Sequence, residues 1–155
     1  MRKIHGLIGK RKEFLWRLAL VLYLCVVYGH SMMPAHISSG ESGAVLGLLR
    51  DGMEFIGLNG EMLTEHMVRK TAHFMEYAGV GILLWGNFAA GRLRPAERVA
   101  LAIVAIPFVD ETIQLFVAGR SGQISDVWLD MAGAVAGVLA AWFLTRRKEK
   151  NRNEL

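Results

Sequence analysis

Four runs of mostly apolar residues divide the chain, at about 14–33, 72–90, 99–117 and 127–144. Each approaches the roughly 20 residues that a helix needs to cross a bilayer. Basic or Gly/Pro-rich segments bound every run. Between the first and second runs the pattern changes. There Val45, Leu48, Leu49, Met53 and Ile56 recur at helical spacing, with Arg50, Asp51 and Glu54 on the opposite side. That periodicity predicts an amphipathic helix, lying on the membrane surface or packed as a small lid. Asn59-Gly60 then break the chain before 61–70 lead into the second run. The pattern as a whole predicts an all-α membrane protein, one domain over 1–155, built as a bundle of four transmembrane helices with the amphipathic helix in the first loop.

Charge gives this frame a direction. Lys and Arg number 18. Fourteen of them lie in the N-terminal segment with Arg17, the 91–98 loop and the 145–155 tail, while the other two loops hold only Arg50, Arg69, Lys70 and Arg120. Because cytoplasmic loops carry the excess of basic residues, both termini are expected inside. The first loop and the loop near Arg120 then face outward. The basic residues flank apolar runs without aromatic interleaving, which suits anionic lipid and excludes nucleic acid as the partner. A cleaved leader would share the basic start and apolar centre of the first run. No small-x-small site follows at Ser31-Met32-Met33-Pro34, so the run is expected to stay as a span. The single cysteine, Cys25, forms no internal disulfide.

With this orientation the polar residues of the second, third and fourth runs gather in the outer third. Lys70, His73 and Tyr77 form one stripe, and Glu76 shares another with Gly79, Leu83 and Gly86. Asp110, Glu111 and Gln114 interrupt the third run just after Pro107, whose ring removes one helical hydrogen bond. Asp126 and Asp130 open the fourth, continued by Gly133 and Gly137, small residues that let helices approach closely. Two adjacent carboxylates point about 100° apart on a helix, so lipid on both sides would be intolerable. A polar pocket open to the outer water, where these acids meet Lys70, Arg120 and His73, is the reading that tolerates them. Several of these residues also have plainer readings. Ser125 or Asp126 suits a helix N-cap, Arg69 an interfacial anchor, and Tyr77 with Trp16, Trp85, Trp128 and Trp142 an aromatic belt.

The segments KTAHFMEYAGVGILL (70–84), DETIQLF (110–116), GRSGQISDV (119–127) and MAGAVAG (131–137) carry a resemblance. In their order and spacing they resemble the VanZ-like family, over residues 70–137. The family elements fall on His73, Phe74, Glu76, Tyr77, Asp110, Glu111, Gln114, Gly119, Arg120, Ser121 and Asp126. Ala118 stands where the family often has proline, and Asp130 where it often has asparagine. The resemblance implies a multi-pass protein of the bacterial cell membrane. It also implies a link to low-level resistance to teicoplanin, a lipoglycopeptide, without remodelling of the D-alanyl-D-alanine terminus of the wall precursor. It implies no reaction.

Two functions stay open on these residues. In the first, an outer pocket of Lys70, His73, Glu76, Tyr77, Asp110, Glu111, Gln114, Arg120, Ser121, Asp126 and Asp130 binds a lipid or lipid-linked headgroup, Arg120 and Lys70 meeting phosphate. In the second, the protein is a membrane hydrolase or transferase with His73, Glu76, Asp110 and Glu111 as acid-base groups. A proton or ion relay is disfavoured, since the inner halves of the runs lack polar residues. One histidine and several acids are donor types for a divalent cation. No HExxH or CxxC spacing is present, so the sequence predicts no metal or other cofactor and leaves the cation as an open alternative.

Overall fold

The computed structural model describes residues 2–89 and 96–153, without the side chains of 2–8, 148, 149, 152 and 153. Most of the basic 91–98 loop, including Arg92 and Arg94, lies outside the described residues, as do Met1 and residues 154–155. The described residues form five α-helices: α1 (Arg2–Ser31), α2 (Ala35–Phe55), α3 (Glu65–Ala89), α4 (Ala96–Gln114) and α5 (Ile124–Asn153). One 3-10 turn, Gly60–Met62, joins α2 to α3. No strand occurs among the described residues.

Local chemistry sets these boundaries. The Asn59 side chain accepts from the Glu61 N–H at 2.8 Å and opens the 3-10 turn. Thr64 Oγ1 accepts from Met67 N–H at 3.2 Å, an N-cap for α3. The third apolar run extends to Val117, but α4 stops at Gln114. Phe116 N–H and Val117 N–H instead close tighter turns onto the Ile113 and Gln114 carbonyls. Those turns return the chain toward α5 through Gly119, whose φ of +76° is a left-handed conformation that glycine adopts without strain. α1, by contrast, continues helical through the polar residues before Phe14, since hydropathy marks bilayer depth and not the helix start.

Helices α1, α3, α4 and α5 share one core of Val27, Tyr77, Val80, Leu84, Val99 and Ala134, with Tyr23, Tyr28 and Ile106 packed around it. The closest crossing is between α3 and α5. A Cβ on Gly137 would lie 1.9 Å from the Ala78 carbonyl oxygen, one on Gly133 2.4 Å from that of Phe74, and one on Gly81 2.0 Å from that of Ala134. The two backbones therefore touch, which only small residues permit. Gly79 and Gly86 give α1 the same access, seating the Tyr23 hydroxyl and the Trp16 ring. Tyr23 donates to the Glu76 carbonyl at 3.1 Å, and Asn87 donates to those of Trp16 and Leu83 at 3.0 and 2.8 Å.

The outward surface is apolar on every long helix: Leu18, Leu22 and Val26 on α1, Met75 and Ile82 on α3, Leu101 and Phe108 on α4, Leu139 and Phe143 on α5. Water would penalise so continuous an apolar surface. Gly9–Ser31 and Ile124–Arg147 are long and apolar enough to cross a bilayer. α2 has no buried residue. Ser38, Ser42, Leu46, Arg50 and Met53 form its half-buried stripe, while Val45, Leu48, Leu49 and Ile56 are exposed. The apolar face expected of this helix thus keeps four of its five members outward and turns Met53 inward.

Candidate functional site

At one end of the bundle α3, α4 and α5 bring polar residues together, and the α4–α5 loop closes over them. Lys70 and His73 lie on the face of α3 that meets α5. Lys70 Nζ bonds Asp126 Oδ1, and His73 Nδ1 stands 3.9 Å from Asp130 Oδ1. Asp126 is in the first turn of α5, where a negative charge complements the helix dipole. Tyr77, one turn below His73, is wholly buried, so it is a core residue and no belt aromatic.

The adjacent acids of α4 do not meet the cations. Gln114 Nε2 donates to Asp110 Oδ2 at 3.1 Å and to Glu111 Oε1 at 3.2 Å. Glu111 Oε2 accepts the Gln123 backbone N–H at 2.8 Å, which ties the loop to α4. Gly122 rests against the Glu111 carbonyl with no room for a Cβ. The hydroxyls of Tyr77 and Ser31 face Asp110, while both oxygens of Asp130 are buried without a hydrogen-bond partner among the described residues.

Arg120 spends its contacts elsewhere as well. Its Nε donates to the Met33 carbonyl at 2.8 Å and one terminal nitrogen to that of His30 at 3.1 Å. The His30 carbonyl lies in the last turn of α1 and the Met33 carbonyl two residues beyond it, where the helix end carries partial negative charge. Partial burial lowers the Arg120 pKa from its ordinary value; Arg69 also lowers it, while Asp110, Glu111 and Glu76 act the other way. Five N–H donors make up a guanidinium, so its remaining donors are available to a ligand. The Ala35 N–H, first of α2, bonds the Ala118 carbonyl at 3.2 Å, docking α2 beside the same loop.

Two adjoining cavities open here. The first, about 120 Å³, is lined by Lys70, Arg69, Arg120, Ser121, Gln123 and Asp126, with His73 and Gln114 also on its wall. The second, about 210 Å³, runs beneath α2 between Met33, Val45, Val68 and Ala72, with His30, Glu41 and Glu76 at its polar side. Ser38, Arg69, His73 and Arg120 border both.

Of the residues singled out in the sequence, Lys70, His73, Glu76, Gln114, Arg120, Ser121 and Asp126 line a cavity. Tyr77, Asp110, Glu111 and Asp130 sit behind the walls, each at most 5% exposed. His30, which no motif in the sequence marks, also belongs to the site: its Nδ1 is 2.8 Å from Glu76 Oε1. The signal was its place: His30 and Ser31 end the first apolar run at the depth of the other polar residues.

A model of the VanZ/LLP1 family matches residues 16–145. Neither the curated proteins nor the solved structures compared with the chain match it.

Proposed function

The chain belongs to the VanZ/LLP1 family, and from that premise we propose a four-span protein of the bacterial cell membrane with both termini cytoplasmic. Its outward-facing pocket binds the anionic headgroup of a lipid or of a lipid-linked cell-wall precursor. Changed presentation of that lipid lowers susceptibility to lipoglycopeptides such as teicoplanin. The orientation follows from the bias of Lys and Arg toward the segments assigned to the inside.

One observation carries the headgroup reading: a cationic cavity and an apolar-walled cavity share Arg69, His73 and Arg120. That pairing suits a phosphate attached to a hydrophobic chain. Arg120, held by two carbonyls, presents preset donors, and charge-assisted bonds to phosphate are among the stronger polar contacts. Lys70 is half-exposed and exchanges part of its Asp126 contact for phosphate. The outward apolar face of α2 lies in the lipid interface beside the opening.

Native mass spectrometry of the purified protein, challenged with an anionic phospholipid and with a neutral one, tests this. Wild type retains the anionic lipid selectively, and Arg120→Ala with Lys70→Ala loses the selectivity. Equal retention of both lipids by wild type, or unchanged selectivity in the double variant, removes the reading.

A second reading, hydrolysis or group transfer, is favoured by one specific feature. His73 borders both cavities, and Asp130 stands behind it at 3.9 Å, a carboxylate that would orient the imidazole for acid-base work once the two close to hydrogen-bond distance. Glu76 faces the second cavity. Lipid and precursor pools that stay unchanged on overexpression count against it.

A further inference from the structure

Asp110 on α4 and Asp130 on α5 are both fully buried, each at 0% exposure. Both oxygens of Asp130 lack any hydrogen-bond partner among the described residues, and Asp110 is met by neutral groups, the hydroxyls of Ser31 and Tyr77 and the amide of Gln114. Ionised carboxylates so placed are costly unless something neutralises them. Neither carboxylate forms an ion pair with Lys70, which bonds Asp126, or with Arg120, which bonds the carbonyls of His30 and Met33. His73 on α3 completes the group: one donor atom from each of His73, Asp110 and Asp130 lies within 4.8 Å of the other two.

We propose that His73, Asp110 and Asp130 bind one divalent first-row transition metal ion, of the Zn²⁺ or Mn²⁺ kind, at the base of the pocket. The inference does not rest on the headgroup reading. Charge decides for a dication, because two carboxylates and a neutral imidazole around it sum to zero, which suits two donors that are fully buried. The imidazole favours Zn²⁺ over Ca²⁺ and Mg²⁺, and the two carboxylates also admit Mn²⁺. Spacing agrees as well. Donors about 2.1 Å from a common ion lie about 3–4 Å apart. The 3.9 Å between His73 Nδ1 and Asp130 Oδ1 is within that range. The three donors, all within 4.8 Å of one another, close on an ion with a shift of a few tenths of an ångström to about 1 Å. Gln114 donates to Asp110 Oδ2 and so orients that carboxylate, the usual task of a group behind a ligand. The three donors come from three helices, which is why no motif spacing announces them.

The test takes the full chain, purified into lipid nanodiscs without chelator, measures its metal content, strips it with EDTA and titrates it with Zn²⁺ and separately with Mn²⁺. Wild type binds about one ion per chain. Asp130→Asn and His73→Gln each weaken binding by at least about 10-fold, and Glu65→Gln, a change at the exposed Arg69 pair, leaves it intact. X-ray absorption of the Zn²⁺-loaded protein shows nitrogen and oxygen neighbours only. Failure of stripped wild type to bind either ion overturns the proposal. So does wild-type affinity in both donor variants, or sulfur in the shell, which would put the ion at Cys25. Should a donor variant fail to fold, the absorption spectrum and a metal-dependent rise in wild-type Tm decide.

Discussion

Lys70 on α3 and Asp126 on α5 are bonded through Nζ and Oδ1 at the rim of the cationic cavity. The pair joins the two helices that pack most closely, above glycines that bring their backbones into contact. It fixes the ammonium at the opening without removing it from solvent, each side chain staying about a third exposed.

A double-mutant cycle on this pair gives a small coupling. Partly exposed ion pairs contribute about 0.2–1 kcal/mol, so Lys70→Ala and Asp126→Ala lower stability little, and less than additively when combined. Ligand retention, measured by native mass spectrometry, falls sharply for Lys70→Ala alone. A large stability loss with unchanged retention would make Lys70 a structural residue.

The α3–α5 crossing tolerates no added bulk. Gly137→Leu must separate the helices at Ala78, and overpacking of this kind costs about 1–3 kcal/mol or more. Gly40→Ala on α2, where nothing lies within 4 Å of the new Cβ, is neutral or stabilising by up to about 1 kcal/mol. Thermal unfolding in one detergent ranks the two.

Glu111 acts on the pocket without lining it. Its carboxylate holds the Gln123 N–H and the Gln114 amide, so Glu111→Ala frees the loop that carries Arg120. Leaving those buried groups unpaired costs about 1–3 kcal/mol. Lipid retention drops along with stability, whereas Glu111→Gln, which keeps one acceptor oxygen, shows a smaller loss of both.

Cysteine labelling checks the placement of α2. In a Cys25→Ser background, Asp51→Cys reacts in intact cells with a membrane-impermeant maleimide, and Leu48→Cys, on the apolar face, is protected. Lys150→Cys reacts only after permeabilisation. Reaction of Lys150→Cys in intact cells would invert the proposed topology.

The helices were legible because long apolar runs between basic segments leave a chain few other ways to satisfy its backbone. A close helix approach at Gly133 and Gly137, in line with Asp130, was legible too, but not that α3 is the helix that meets them. What the sequence does not display is which residue of one helix faces which of another. His30 and Glu76, 46 residues apart, meet through a packing register that neither helix encodes alone. Arg120 was expected among the acids and instead satisfies the carbonyl end of α1, since an exposed helix terminus competes for a guanidinium as well as a carboxylate does. Asp110 and Asp130 were read as pocket residues and lie behind it, because a position on a helix face says nothing of the depth of its neighbours. The end of α4 at Gln114 was hidden by three apolar residues that turn rather than continue the helix.

The most direct test of the headgroup account is teicoplanin tolerance in a susceptible Gram-positive host, with vancomycin as the control. It compares wild type with Arg120→Ala and Glu111→Gln at matched membrane levels. The account predicts tolerance to teicoplanin alone, lost in Arg120→Ala and reduced in Glu111→Gln. Wild-type expression that leaves teicoplanin susceptibility unchanged, or tolerance that survives Arg120→Ala in full, would contradict it.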